Sequence, residues 1–113
     1  MVGSEFVSVI IINRNGTKFL DGCIESIKKQ SYKKVEIILI DNASTDGSLS
    51  LVQNNHKDIT IIANNNNDGY SKAANVGISK SKGEFILILN PDIVLTPNFV
   101  EYFQAKWKHI LDK

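Results

Sequence analysis

Four short apolar runs recur along the chain: Phe6 to Ile12, Val35 to Ile40, Ile59 to Ile62 and Glu84 to Leu89. The first, second and fourth are nearly continuous Val, Ile, Leu and Phe, the pattern of strands covered on both faces. Between and after the runs the apolar spacing becomes helical. Leu20, Cys23, Ile24 and Ile27 follow the i, i+3, i+4, i+7 stripe. Tyr70, Ala73, Ala74, Gly77 and Ile78 repeat it, as do Val100, Phe103, Trp107, Ile110 and Leu111. Leu49 and Val52 mark a shorter helix after Asp46. The order β-α-β-α-β-α-β-α predicts a Rossmann-like three-layer α/β/α fold, with a parallel sheet and right-handed crossovers.

Ligands of such sheets bind beyond the carboxyl ends of the strands. Four polar loops fall on that predicted edge: Asn13-Arg14-Asn15-Gly16, Asp41-Asn42-Ala43-Ser44, Asn64 to Gly69, and Asn90-Pro91-Asp92. Asp41 ends a buried strand, where its carboxylate can either reach a ligand or cap the following turn. Asp92 stands just past another strand and can hold a hard divalent cation, with a diphosphate and water completing the shell. A Pro-Asp turn explains the same residues without a metal. Asp46 reads as a helix N-cap, Thr96 as another with Pro97 at the first helical position. Lys72 can meet a phosphate from near its helix start, though an exposed lysine is the plainer reading. Small Ala73, Ala74 and Gly77 suit close packing of helix on sheet. Cys23 belongs to an apolar stripe and reads as core. His56 and His109 lack partners at zinc-site spacing and read as surface residues. The run Asn64 to Asn67 predicts a tight loop of residues that tolerate the left-handed conformation.

Composition narrows the functional classes. The 113 residues suit one domain, assigned here to 6–113, with 1–5 as a functionless leader open to a cloning origin. Thirteen basic against twelve acidic side chains leave a formal charge of +1, which argues against nucleic acid or an anionic membrane as main partner. One cysteine forms no internal disulfide and suits a reducing compartment. No apolar run nears the roughly 18 residues of a membrane span, and no secretion signal opens the chain. A soluble cytoplasmic protein is expected.

Four blocks together carry a resemblance. Val7 to Asn15, Glu36 to Ser48, Asn67 to Ile78 and Leu89 to Asp92 resemble, in order and spacing, the blocks of family 2 glycosyltransferases. The likeness covers about residues 7 to 100. It implies a GT-A fold with strand order 3-2-1-4, a UDP-, dTDP- or GDP-linked sugar donor, and Mg²⁺ or Mn²⁺. Ile12, Asn13, Arg14 and Asn15 would line the nucleoside pocket, and Asp41 would bind base or ribose. Asn42, Gly69, Lys72, Asn75, Asn90 and Pro91 would complete the nucleotide-sugar site, with Asp92 as metal ligand.

Two departures stand out. Asn90 replaces the first acid of the metal motif, leaving one strong anionic ligand. Ala74 precedes Asn75 where many relatives have arginine. The Asn-Pro-Asp form is similar to that of relatives described as rhamnosyltransferases, which hints at a deoxysugar.

Inverting transfer needs a general base. No carboxylate of this chain matches the family's base, so the resemblance implies a truncated GT-A unit. It would bind donor, with little transfer by itself. The expected role lies in cell-surface polysaccharide synthesis, with a glycan or lipid-linked acceptor. Through that acceptor the protein would be peripheral at the inner membrane face. Uncovered apolar surface would favour self-association.

Two other classes compete. A non-catalytic nucleotide-sugar-binding or assembly module fits the same motifs. A receiver-type regulatory domain fits the length, but needs paired acids where Asn13-Arg14-Asn15 stands.

Overall fold

The computed structural model of the chain describes residues 6–111. Strands and helices alternate as β1 (Val7–Asn13), α1 (Thr17–Lys28), β2 (Val35–Asn42), α2 (Ser48–Asn55), β3 (Thr60–Asn64), α3 (Tyr70–Lys80), β4 (Phe85–Leu89) and α4 (Phe99–Leu111). The strands pair in parallel in the order β3-β2-β1-β4, the order the resemblance implied. β1 and β2 are therefore central, and their carboxyl ends lie side by side.

Strand alternation sends successive side chains of β1 into two cores. Val7, Val9 and Ile11 join Leu20, Cys23, Ile24 and Ile27 of α1, Val52 of α2 and Val100 of α4. Ile10 and Ile12 join Ile38 and Ile40 of β2 and Ala73 and Ala74 of α3. Burial on both faces explains the nearly continuous β-branched run in β1, broken by the buried Ser8. The second core is thin because α3 lies close to the sheet. A Cβ on Gly77 would stand 2.7 Å from Cγ2 of Ile10, so only glycine fits there without displacement.

Close approach also revises the α3 stripe. Tyr70 and Ile78 are 52% and 42% exposed, not part of the core. With small residues against the sheet, no gap remains for bulky ones at the ends of the stripe. α3 packs on β1 and β2, leaving Ile86 and Ile88 of β4 half-buried.

Two other expectations change. His56 is 2% exposed and not at the surface. It lies 2.5 Å from Asp21 Oδ1 through Nε2, and Lys28 Nζ approaches Nδ1 at 3.0 Å. An ammonium can only donate, so Nδ1 accepts and Nε2–H donates to Asp21. Lys28 also pairs with Asp58 at 2.8 Å, tying α1 to the start of β3. Helix α4 begins at Phe99 and not at Pro97. The Asn98 carbonyl accepts from Tyr102 N, while the Thr96 carbonyl accepts from Gln30 Nε2 at 2.7 Å. The asparagine run holds no left-handed residue, because Asn15 and Ala43 are the non-glycine positive-φ residues among those described. Residues 1–5 and the side chains of Trp107, His109, Ile110 and Leu111 lie outside the described residues.

Gly77→Ala should lower unfolding free energy by about 1 kcal/mol, since overpacking of about 2 kcal/mol exceeds a helix-propensity gain of about 1. Urea unfolding measures it. An unchanged or raised midpoint would show that Ile10 yields without cost.

Candidate functional site

β1 and β2 end in two polar residues that are partners in register, Asn13 and Asp41. Both are buried, at 0% and 1% exposure. A carboxylate so buried is costly unless its oxygens are satisfied. Asp41 Oδ1 accepts from Asn13 Nδ2 at 2.8 Å and from Ser44 Oγ at 2.7 Å, while Oδ2 accepts from Ser44 N at 3.0 Å. Asn13 Nδ2 also reaches Ser48 Oγ at 2.9 Å, and its Oδ1 accepts from Gly16 N at 3.1 Å. The turn-capping role of Asp41 is thus directly visible. Neither side chain opens to the surface, so Asn13 is a scaffold residue beneath the site and not part of its wall.

The next shell locks the two turns together. Arg14 Nη1 donates to the carbonyls of Asn42 at 2.8 Å and Ala43 at 2.5 Å, holding Ala43 at a φ of 54°. Asn15 N donates to Ser44 Oγ at 2.9 Å, and Asn15 Oδ1 accepts from Thr45 N at 2.7 Å. Asp46 does not cap α2. Gly47 occupies that position in left-handed conformation. Asp46 instead accepts from Thr17 N and Ser48 N, each at 3.0 Å, and so joins the starts of α1 and α2. Partial desolvation opposes its ionisation, but hydrogen bonds from Ser48 and Thr17 outweigh it and hold the carboxyl well below the usual carboxylate range.

Above this layer lies an open cleft of about 380 Å³, lined by Ile12, Arg14, Asn42, Asn67, Gly69, Tyr70, Asn90 and Pro91. That is the lower end of small-molecule site volumes, about 300–1,000 Å³. A larger hollow of about 440 Å³ opens near Tyr32, Val35, Asp58 and Thr60. It sits at the amino ends of β2 and β3. The smaller cleft is the better candidate because it lies at the carboxyl edge, where strand order switches at β1.

The cleft therefore brings together Ile12, Arg14, Asn42, Gly69, Asn90 and Pro91. Asn15, Lys72 and Asn75 are exposed but do not line it. Lys72 pairs with Asp68 at 3.7 Å. Sequence reasoning missed Asn67 and Tyr70. The helical stripe assigns Tyr70 to the core, and the asparagine run gives Asn67 no role apart from its neighbours.

The Asn90-Pro91-Asp92 turn closes the far wall, with Asn90 O accepting from Ile93 N at 3.2 Å. Beneath it Cys23 Sγ lies 3.9 Å from the same carbonyl. Burial, and secondarily the Asp92 carboxylate, push the Cys23 thiol up to about 11. The cysteine is thus a neutral core donor, as its helical stripe suggested. Asp92 itself is exposed. Among the described residues no three His, Cys, Asp or Glu side chains form a metal-holding group. A single carboxylate beside a carboxamide still suits a cation that keeps water and phosphate oxygens in its shell.

A parallel α/β domain with a cleft at the switch point of its sheet has the architecture in which ligands bind beyond the carboxyl ends of the strands. Comparison makes the family explicit. The family model described as Glycosyl transferase family 2 matches residues 8–110, and the chain belongs to that family. It is 38% identical to Glycosyltransferase GlyG of Streptococcus pneumoniae over 103 residues, covering 87% of this chain and 34% of the relative. Its fold superposes on S. aureus TarS 1-349 in complex with UDP with a TM-score of 0.83 at 25% identity, over 92% of this chain and 32% of that one. A mannosyltransferase from Pyrobaculum calidifontis, in complex with GDP-Man and Mn²⁺, gives 0.73 at 28% identity, over 78% of this chain and 28% of that one. The chain thus spans about a third or less of the length of the relatives it matches.

Two outcomes test the buried layer. Asn13→Ala leaves Asp41 and the Gly16 amide short of partners and should cost about 2–4 kcal/mol in chemical unfolding. A loss under about 0.5 kcal/mol would deny Asn13 its scaffold role. Asp46 binds its proton more weakly folded than unfolded. Its contribution is present above the unfolded value of about pH 4 and is lost as pH falls through the depressed folded value. Asp46→Asn should flatten the fall in stability below about pH 4, and an unchanged acid limb would refute the assignment.

Proposed function

We propose that this domain binds the donor of an inverting glycosyltransferase, a nucleotide-diphosphate sugar held in the cleft with a divalent cation at Asp92. The observation that carries this is the convergence of four loops on one cleft at the sheet's switch point. The likeness to TarS with UDP and to the mannosyltransferase with GDP-Man and Mn²⁺ supports it.

On this reading Ile12, Asn42 and the Tyr70 ring take the nucleoside, the ring offering a face to a planar base. Arg14 uses Nη1 to hold the Asn42-Ala43 turn, and its remaining N–H groups donate to the donor. Asp41 acts from below by fixing that turn. Asp92 would hold the cation, Mg²⁺ or Mn²⁺, whose chemistry there would be to neutralise charge growing on the leaving diphosphate, and Asn90 would contact the nucleotide sugar. Asn75 and Lys72 extend the site towards the diphosphate.

A base must still deprotonate the acceptor hydroxyl as it attacks the anomeric carbon. No carboxylate lines the cleft. We assign the base and the acceptor site to the part of the relatives' length that this chain does not span. The acceptor is a glycan or lipid-linked glycan of cell-surface polysaccharide synthesis, met in the cytoplasm at the membrane face. No helix among the described residues is long and apolar enough to cross a membrane.

Calorimetric titration with UDP, dTDP and GDP, with and without Mn²⁺, tests the proposal. One nucleotide should bind more tightly with Mn²⁺. Asp92→Ala should remove that gain, at least about tenfold in Kd, or about 1.4 kcal/mol. No binding by the folded protein would overturn the donor-site reading and favour a structural or assembly module.

A further inference from the structure

The asparagine run between β3 and α3 has no assigned role, yet two of its side chains make defined contacts. Asn64 is the register partner of Asn42 on the neighbouring strand. Asn64 Nδ2 donates to Asn42 Oδ1 at 2.8 Å. Asn42, 2% exposed, donates in turn from Nδ2 to the Gly69 carbonyl at 3.3 Å. On the other side of that residue, Gly69 N donates to Asn67 Oδ1 at 3.4 Å. Gly69 is thus gripped at its carbonyl by Asn42, backed by Asn64, and at its amide by Asn67.

This grip acts on a backbone that needs it. Gly69 has φ 92° and ψ 169°, a conformation that excludes residues with a Cβ. Its carbonyl also accepts the first bond of α3, from Ala73 N at 3.3 Å. Its neighbours Asn67 and Tyr70 form one wall of the cleft. Where Gly69 sits decides where that wall stands.

The chemistry fixes the direction of the relay. The Gly69 carbonyl is acceptor-only, so the Asn42 amide must turn its NH₂ towards it. Asn42 Oδ1 then faces position 64, and only a donor there satisfies it. Asn64 supplies that donor from outside the cleft lining. We propose that Asn64 is a positioning residue for the nucleotide, acting through Asn42 to hold the Asn67–Tyr70 wall. The inference rests on the donor-site reading of the cleft.

Asn64→Asp tests it at nearly constant shape. An ionised carboxylate has no proton to give and faces Asn42 Oδ1. Either Asn42 turns over and abandons Gly69, or Asp at 64 swings away. Titration with the nucleotide that the wild type binds should show a loss of about three- to tenfold, the range of one hydrogen bond. In an Asn42→Ala background the same change should cost nothing further, because the path is already cut. Asn64→Thr keeps a donor and suits a strand, so it should recover most of the affinity. Thermal melting and amide spectra confirm that each variant is folded.

Wild-type affinity in Asn64→Asp, losses that add fully in the double variant, or an Asn64→Thr as weak as Asn64→Asp would each overturn the inference alone. A folded wild type that binds no nucleotide would overturn the donor-site reading, and this inference with it.

Discussion

The site depends on one buried contact, between Asn13 and Asp41 at the carboxyl ends of the two central strands. In a parallel sheet these residues are held side by side whatever their chemistry, and here they lie in a layer closed to water. One is a carboxylate whose desolvation costs several kcal/mol unless it is hydrogen-bonded. Its neighbour must therefore be a donor, which asparagine is and a second acid is not. That requirement also separates this chain from receiver-type domains, which need acids at the end of the first strand. Once the pair is made, Ser44, Ser48 and Gly16 are drawn to its remaining atoms, and the turns after both strands are set together.

The candidate site consequently has two levels. The lower level is saturated, with each polar atom of Asp41 and Asn13 engaged. The upper level consists of backbone and side chains that this scaffold exposes: Asn42, Gly69, Tyr70, Asn90 and Pro91 around Ile12 and Arg14. Such a division suits a site that must bind without rearranging, because rigid polar groups lose little order on binding. Arg14 belongs to both levels. Its Nη1 stabilises the positive-φ Ala43, a conformation costing about 1–3 kcal/mol, and the same guanidinium faces the cleft.

Most of the fold was legible because strand and helix periods differ and because β1 is apolar but for Ser8 before its closing Asn13. The packing of Gly77 was legible too, since three small residues on one stripe have few other uses. What misled was treating each loop as one unit. Strand alternation separates its members. Asn13 and Asp41 share parity with Val9, Ile11 and Leu39, which face α1 and α2. Ile12 and Asn42 share parity with Ile10, Ile38 and Ile40, on the α3 side where the cleft opens. That count of two assigns the first pair to the scaffold and the second to the wall. No comparable signal existed for His56, because its partner Asp21 lies 35 residues away on another helix. Nor was one available for Tyr70, whose exposure follows from how near α3 comes to the sheet.

The single acid of the Asn90-Pro91-Asp92 turn has a thermodynamic consequence on the proposed reading. One exposed carboxylate and a carboxamide give a divalent cation few protein oxygens, so its affinity for the free domain is weak. The diphosphate supplies the missing ligands, and the cation in turn supplies the charge that a nearly neutral cleft lacks. Each therefore raises the affinity of the other by the same factor, as linkage requires. A motif with two acids would hold metal before the nucleotide arrives and weaken this dependence. On that reading, asparagine at position 90 would move the domain from sequential towards mutual binding, with Arg14 as the cationic side chain that lines the cleft among the described residues.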